Sequence, residues 1–201
     1  SVSTACRKSS KRMVATLDVV SNGRIIFGAG VGWMAEEFQL LGVPYEQRAS
    51  RTREYLQVMK EVWTKETPRF SGKYVQIEKD LHFAPKPVQK PHPPIWIGGE
   101  STPALKRVVE FGDGWHIGPV ALEEVKPKFA QLRELMAAAG RDFSKLEITS
   151  MVDTRVVSAA DIRAYRDLSV TGLYVVAPGP EPQSVLKVMR EFAKKVQDAV
   201  R

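Results

Sequence analysis

Residues 98–101 read Gly-Gly-Glu-Ser, where the apolar run PIWIGG (Pro94–Gly99) gives way to the helical pattern STPALKRVVEF. A strand that ends on paired glycines and turns at once into a helix leaves backbone N–H groups without intrahelical partners, and the helix dipole favours an anion there. Gly98, Gly99, Glu100 and Ser101 are therefore candidates to hold an anionic group. The same residues also read as a plain tight turn closed by a serine cap, and Glu100 would repel a phosphate unless its side chain points away. His116, in GWHIG (Gly114–Gly118), is the second candidate. An imidazole titrates near neutral pH and suits a proton donor or a ligand contact, while a histidine tied down by a hydrogen bond at a strand end reads identically. Trp115 stands beside it.

A third group lies in RIIFGAGVGW (Arg24–Trp33), which sets Gly28, Gly30 and Gly32 at alternate positions before Trp33. A dinucleotide fingerprint or a P-loop needs a further glycine or a lysine where this chain has Trp33 and Met34, so the stretch is not a nucleotide motif. Its glycines suit a strand end kept thin, so that a bulge, a neighbouring side chain or a planar ligand comes close. Glu36 and Glu37 suit the first turn of a short helix, where negative charge is favourable, better than a catalytic dyad. His82 and His92 stand ten residues apart without a cysteine near either, and no Ser-His-Asp order, H-E-x-x-H or Cys pair exists; no metal site is expected.

The elements that must position these residues alternate along the chain. Strands are expected at Arg24–Gly30, Ile95–Gly98, Gly114–Ile117, Leu146–Val152 and Gly172–Val176. Helices are expected at Tyr45–Trp63, Ser101–Phe111, Glu123–Ala139, Ala159–Leu168 and Gln183–Val200. Ser101 or Thr102 caps the second helix, with Pro103 in its first turn; Gly112 and Gly140 end the second and third. Strands that are continuous apolar runs, each followed by a helix, imply an α/β fold with parallel pairing and crossover helices. PRFSGKYVQIEKDLHF suggests a small hairpin around Ser71-Gly72, and APKPVQKPHPP, with five prolines in eleven residues, is an irregular excursion.

Composition bounds the rest. The chain has 201 residues, 43% apolar and 26% charged, which fits one folded domain over 1–201. The formal charge of +7 has its densest basic run at Arg7–Arg12, a solvated face and not a nucleic-acid site. A single cysteine, Cys6, excludes an intrachain disulfide framework, and no apolar stretch is long enough to span a membrane; a cytoplasmic protein is expected.

RIIFGAGVGW, EEFQLLGVPYEQRASRTREYLQVMKEVWT and PPIWIGGESTPALKRVVEFGDGW together resemble the bacterial luciferase-like monooxygenase superfamily, in the branch assigned to the deazaflavin coenzyme F-420. The resemblance implies a partial TIM (β/α)8 barrel of the luciferase-like type. The five expected strands then correspond to strands 4 to 8 of that barrel, and strands one to three have no counterpart in this chain. It further implies an oxidoreductase or monooxygenase that uses coenzyme F-420, or alternatively FMN, on a small organic substrate. In the family the cofactor phosphate lies over the turn that here is Gly98–Ser101. Carried onto this sequence, the phosphate would meet the N–H groups of Gly99, Glu100 and Ser101, with the ring directed toward Gly30, Gly32, Trp33 and Trp115. A subset of deazaflavin enzymes acting on sugar phosphates has a glutamate at the place of Trp33; its absence argues against that activity. An incomplete barrel leaves open sheet edges, which implies a homodimer or larger homo-oligomer. The alternative to an enzyme is a catalytically inactive relative that binds the cofactor or serves in assembly.

Overall fold

The computed structural model describes residues 10–78, 81–176 and 181–200; Cys6 and Arg7–Ser9 lie outside them. Internal contacts divide the chain into two compact units, Ser1–Ile97 and Gly98–Arg201. Five parallel strands carry the fold, as the apolar runs predict.

The described part of the first unit opens on a helix absent from the expected elements, α1 (Ser10–Val20), followed by β1 (Phe27–Ala29), the short α2 (Ala35–Leu40), a 3-10 turn at Tyr45–Gln47 and α3 (Arg48–Thr64). The hairpin appears as predicted, β2 (Phe70–Ser71) pairing antiparallel with β3 (Gln76–Ile77). Then β4 (Ile95–Gly98) pairs parallel with β1 in the register Phe27↔Ile95 to Ala29↔Ile97. The core is the buried face of α3, Leu56, Val58, Met59, Val62 and Trp63, with Ile95 and Ile97. Trp63 sits edge-on to Phe27, and its Nε1–H donates to the Lys11 carbonyl, which fastens α1.

Two polar side chains hold the proline-rich stretch, where regular structure is forbidden, and a third holds the hairpin turn. The fully buried Asp18 carboxylate accepts from the Gln89 backbone N–H at 3.0 Å and from Gln89 Nε2 at 2.6 Å. Lys86 Nζ donates to Val62 O at 2.8 Å and to Lys65 O, placing a cation on the last carbonyls of α3. The Glu54 carboxylate accepts from the N–H groups of Lys73, Tyr74 and Val75, so α3 holds the hairpin turn.

The second unit runs α4 (Thr102–Phe111), β5 (Gly114–Ile117), α5 (Leu122–Ala138), a 3-10 turn at Phe143–Lys145, β6 (Glu147–Val152), α6 (Ala159–Asp167), β7 (Gly172–Val175) and α7 (Pro182–Val200). β6 pairs parallel with β5 on one side and with β7 on the other. Trp115, Ile117, Leu105, Val108, Phe129, Leu132, Met136 and Ile148 form the core. Gly112 ends α4 as expected, and Ser158 and Asp161 make a capping box on α6. The carbonyls at the end of α4 are met by the Arg141 guanidinium, which donates to Val108 O, Val109 O and Gly112 O at 2.7–2.9 Å.

Candidate functional site

The strand-to-helix turn after β4 is shaped by one backbone requirement. Gly99 has φ +107°, a region closed to residues with a Cβ, and a Cβ there would stand 3.3 Å from that of Ala104. Both peptide groups of Gly99 are held by β5. Its N–H donates to His116 O at 3.3 Å, and its carbonyl accepts from Trp115 Nε1 at 2.9 Å. Ser101 then caps α4, its Oγ accepting from Ala104 N at 3.3 Å, and Pro103 brings no N–H of its own. The N–H groups of Glu100, Ser101 and Thr102 have no protein partner among the described residues. These three donors at a helix N-terminus fit a phosphate.

That arrangement corrects the expected donor set. Gly99 contributes its conformation and not its N–H, which is already spent on His116 O. The repulsion foreseen from Glu100 is moderated by a specific bond: Glu100 Oε1 accepts from Gly118 N at 2.6 Å and so is tied to the loop after β5. Trp115 also takes a different part. It is fully buried, its ring packed edge-on to Phe129 with centroids 5.0 Å apart, so its surface is not offered to a ligand. It acts on the turn through its indole N–H.

His116 stands half-buried on β5, with Nδ1 2.9 Å from Thr149 Oγ1 of β6 and its ring edge-on to Tyr174 of β7 at 5.5 Å. Burial pushes its pKa below the ordinary 6.5, and the negative charge of Glu100 opposes that in part. The second unit therefore ties Gly99 to His116 and Trp115, and Glu100 to Gly118, by direct hydrogen bonds between the turn after β4 and the end of β5, with Gly98 and Ser101 as the chain neighbours of those two residues. Thr149 and Tyr174 were not foreseen. The signal available was a pair of hydroxyl residues, Thr149-Ser150, set between the apolar Ile148 and Met151.

The remaining candidates lie in the first unit. Gly30, Gly32 and Trp33 occupy the loop between β1 and α2, where Trp33 is 79% exposed and its carbonyl accepts from Tyr45 Oη. Gly32 has φ +81° and needs to be glycine for that reason. A Cβ at Gly28 or Gly30 would meet no atom within 4 Å, so no neighbouring side chain demands glycine at either position. Glu36 and Glu37 form the exposed first turn of α2. Among the described residues no group of three or more His, Cys, Asp or Glu side chains is placed to hold a metal ion, and no helix is long and apolar enough to cross a membrane.

Comparison with known proteins gives the same fold. Monooxygenase RslO1 from Streptomyces bottropensis superposes with a TM-score of 0.78 at 17% identity, over 95% of this chain and 73% of that one. The coenzyme F420 dependent tetrahydromethanopterin reductase from Methanopyrus kandleri superposes with a TM-score of 0.63 at 17% identity, over 95% and 72%. An uncharacterized protein of Mycobacterium tuberculosis is 37% identical over 132 residues, 65% of this chain and 46% of its own length. The FMNH2-dependent dimethylsulfone monooxygenase of Pseudomonas putida is 30% identical over 132 residues, 64% of this chain and 36% of its own length. The chain thus matches less than half the length of these curated relatives. The family model for luciferase-like monooxygenases matches residues 11–198, nearly the whole chain, and the chain belongs to that family.

Proposed function

We propose that the turn after β4 holds the phosphate of a flavin or deazaflavin, and that the protein containing it is an oxidoreductase acting on a small organic substrate. The observation that carries this reading is the trio of unpartnered N–H groups on Glu100, Ser101 and Thr102, presented by a turn whose conformation only Gly99 permits.

When bound, the ring would supply the reactive centre for hydride transfer or oxygen insertion. The chain's own groups bind and orient: the three N–H donors meet the anion, the Trp115 and His116 bonds keep the turn rigid, and His116 Nε2 is available on β5. Relatives and structural neighbours include both FMN-dependent and F420-dependent enzymes by name, so both cofactors are candidates. The resemblance in the sequence favours coenzyme F-420 first and FMN second.

The test is a fluorescence titration of FMN and of coenzyme F-420, oxidised and reduced, into the wild type and Gly99→Val, with circular dichroism to confirm folding. Saturable binding that the variant loses while still folded is expected. A folded wild type that binds neither cofactor would overturn the proposal and favour the inactive relative.

A further inference from the structure

We propose that Thr149 is a positioning residue that fixes His116 in the tautomer carrying its proton on Nε2, so that the ring offers a hydrogen-bond donor to a carbonyl-type oxygen of the bound ligand. The number of protons available to the pair decides the tautomer. His116 and Thr149 are register partners on adjacent parallel strands, so their side chains leave the paired strands on the same side, and Nδ1 lies 2.9 Å from Oγ1. Thr149 is 3% exposed, and its hydroxyl has no other partner among the described residues.

If Nδ1 carried the proton and donated it to Oγ1, the threonine hydrogen would be buried without an acceptor. If the hydroxyl donates to Nδ1 instead, every polar group of the pair is met and the imidazole proton sits on Nε2. That nitrogen has no protein partner among the described residues.

The neighbours support the same state. Gly172, opposite Thr149 on β7, brings no side chain, and a Cβ there would press to 3.3 Å from Thr149 Cγ2. Tyr174 stands edge-on to the ring at an interplanar angle of 90° and fixes its plane. Glu100, from the turn after β4, is the charged group whose field reaches the imidazole, and its pull toward the protonated form is outweighed by burial. The ring is therefore neutral at neutral pH and acts as an N–H donor, suited to stabilise negative charge that develops on oxygen. The identity of the ligand meeting Nε2 rests on the flavin-site reading; the tautomer does not.

The test is a long-range proton–nitrogen NMR spectrum of the full chain labelled with 15N-histidine, recorded above pH 6.5, the ordinary histidine value, with His116 assigned by comparison with His116→Gln. The expected spectrum has Nδ1 of His116 in the unprotonated, pyridine-type range and Nε2 in the protonated, pyrrole-type range. Thr149→Val should give a mixture of tautomers and Thr149→Ser should restore the single form. A wild-type spectrum with the proton on Nδ1 overturns the proposal, and so does a folded Thr149→Val variant that keeps the wild-type tautomer. FMN added to the same sample separates the two readings. Coenzyme F-420 is added to a second sample. A shift of the Nε2 signal with either cofactor supports both, whereas the predicted tautomer with neither cofactor bound supports the role of Thr149 and overturns the flavin or deazaflavin site.

Discussion

Replacing Trp115 by phenylalanine tests whether a residue that touches no ligand governs ligand binding. The indole Nε1–H is the donor to the Gly99 carbonyl, at 2.9 Å, and the side chain is wholly buried. Phenylalanine keeps an aromatic ring against Phe129 but removes that donor and leaves the carbonyl unmet, at a cost of ~1–3 kcal/mol. The smaller ring also leaves a void in the core, which adds ~1–2 kcal/mol. The expected loss is therefore ~2–5 kcal/mol in denaturant unfolding. The second consequence is specific. With its carbonyl released, the Gly99 turn no longer holds the Glu100, Ser101 and Thr102 N–H groups in one geometry, and the dissociation constant for FMN should rise by about tenfold, or ~1.4 kcal/mol. Phe129→Leu is the control, since it disturbs the same packing and leaves the Trp115–Gly99 bond in place. Equal weakening of FMN binding in both variants, or a Trp115→Phe protein as stable as the wild type, would refute the reasoning.

Three further outcomes are expected. Ser150 is fully buried on β6 and its hydroxyl has no partner among the described residues, so Ser150→Ala should leave stability unchanged or raise it by up to ~1 kcal/mol, measured by urea unfolding. Because the folded pKa of His116 lies below the unfolded 6.5, the unfolded chain takes up the proton first as pH falls. The His116 contribution is full above pH 6.5 and is lost as pH drops toward the folded value, so the urea midpoint of the wild type should fall more steeply in that window than that of His116→Gln. The second unit exposes Tyr174, Val176, Leu186 and Met189, and we expect a homodimer or larger oligomer; sedimentation at micromolar concentration showing only a folded monomer would reject it.

The strands and helices were legible because their signals are local. The strand signals at Ile95–Gly98 and Leu146–Val152, the Ser101 cap with Pro103 behind it, and the glycine after α5 each report on a few neighbouring residues. The first strand is shorter than its apolar run suggested, Phe27–Ala29 instead of Arg24–Gly30, because β4 offers partners only from Ile95 to Ile97. Helix α1 was missed since its exposed Met13, Leu17, Val19 and Val20 blur the apolar face that would have announced it. At the site, the turn and His116 were legible as residue types, but their division of labour was not. The commitment of the Gly99 N–H to His116 O, the bond from Gly118 that ties Glu100, and the burial of Trp115 depend on which strand lies beside which. Thr149 shows the same limit: it lies 33 residues from His116 in the chain and 2.9 Å from it in the fold.

Whether Glu100, Ser101 and Thr102 present their N–H groups to a cofactor phosphate is read from the backbone amide signals of the 15N-labelled protein during a titration with FMN. Saturating shifts at these three amides, with the Gly99 amide held by its bond to His116 and moving less, are the predicted result. Saturable FMN binding that leaves the three amides where they were would contradict the account.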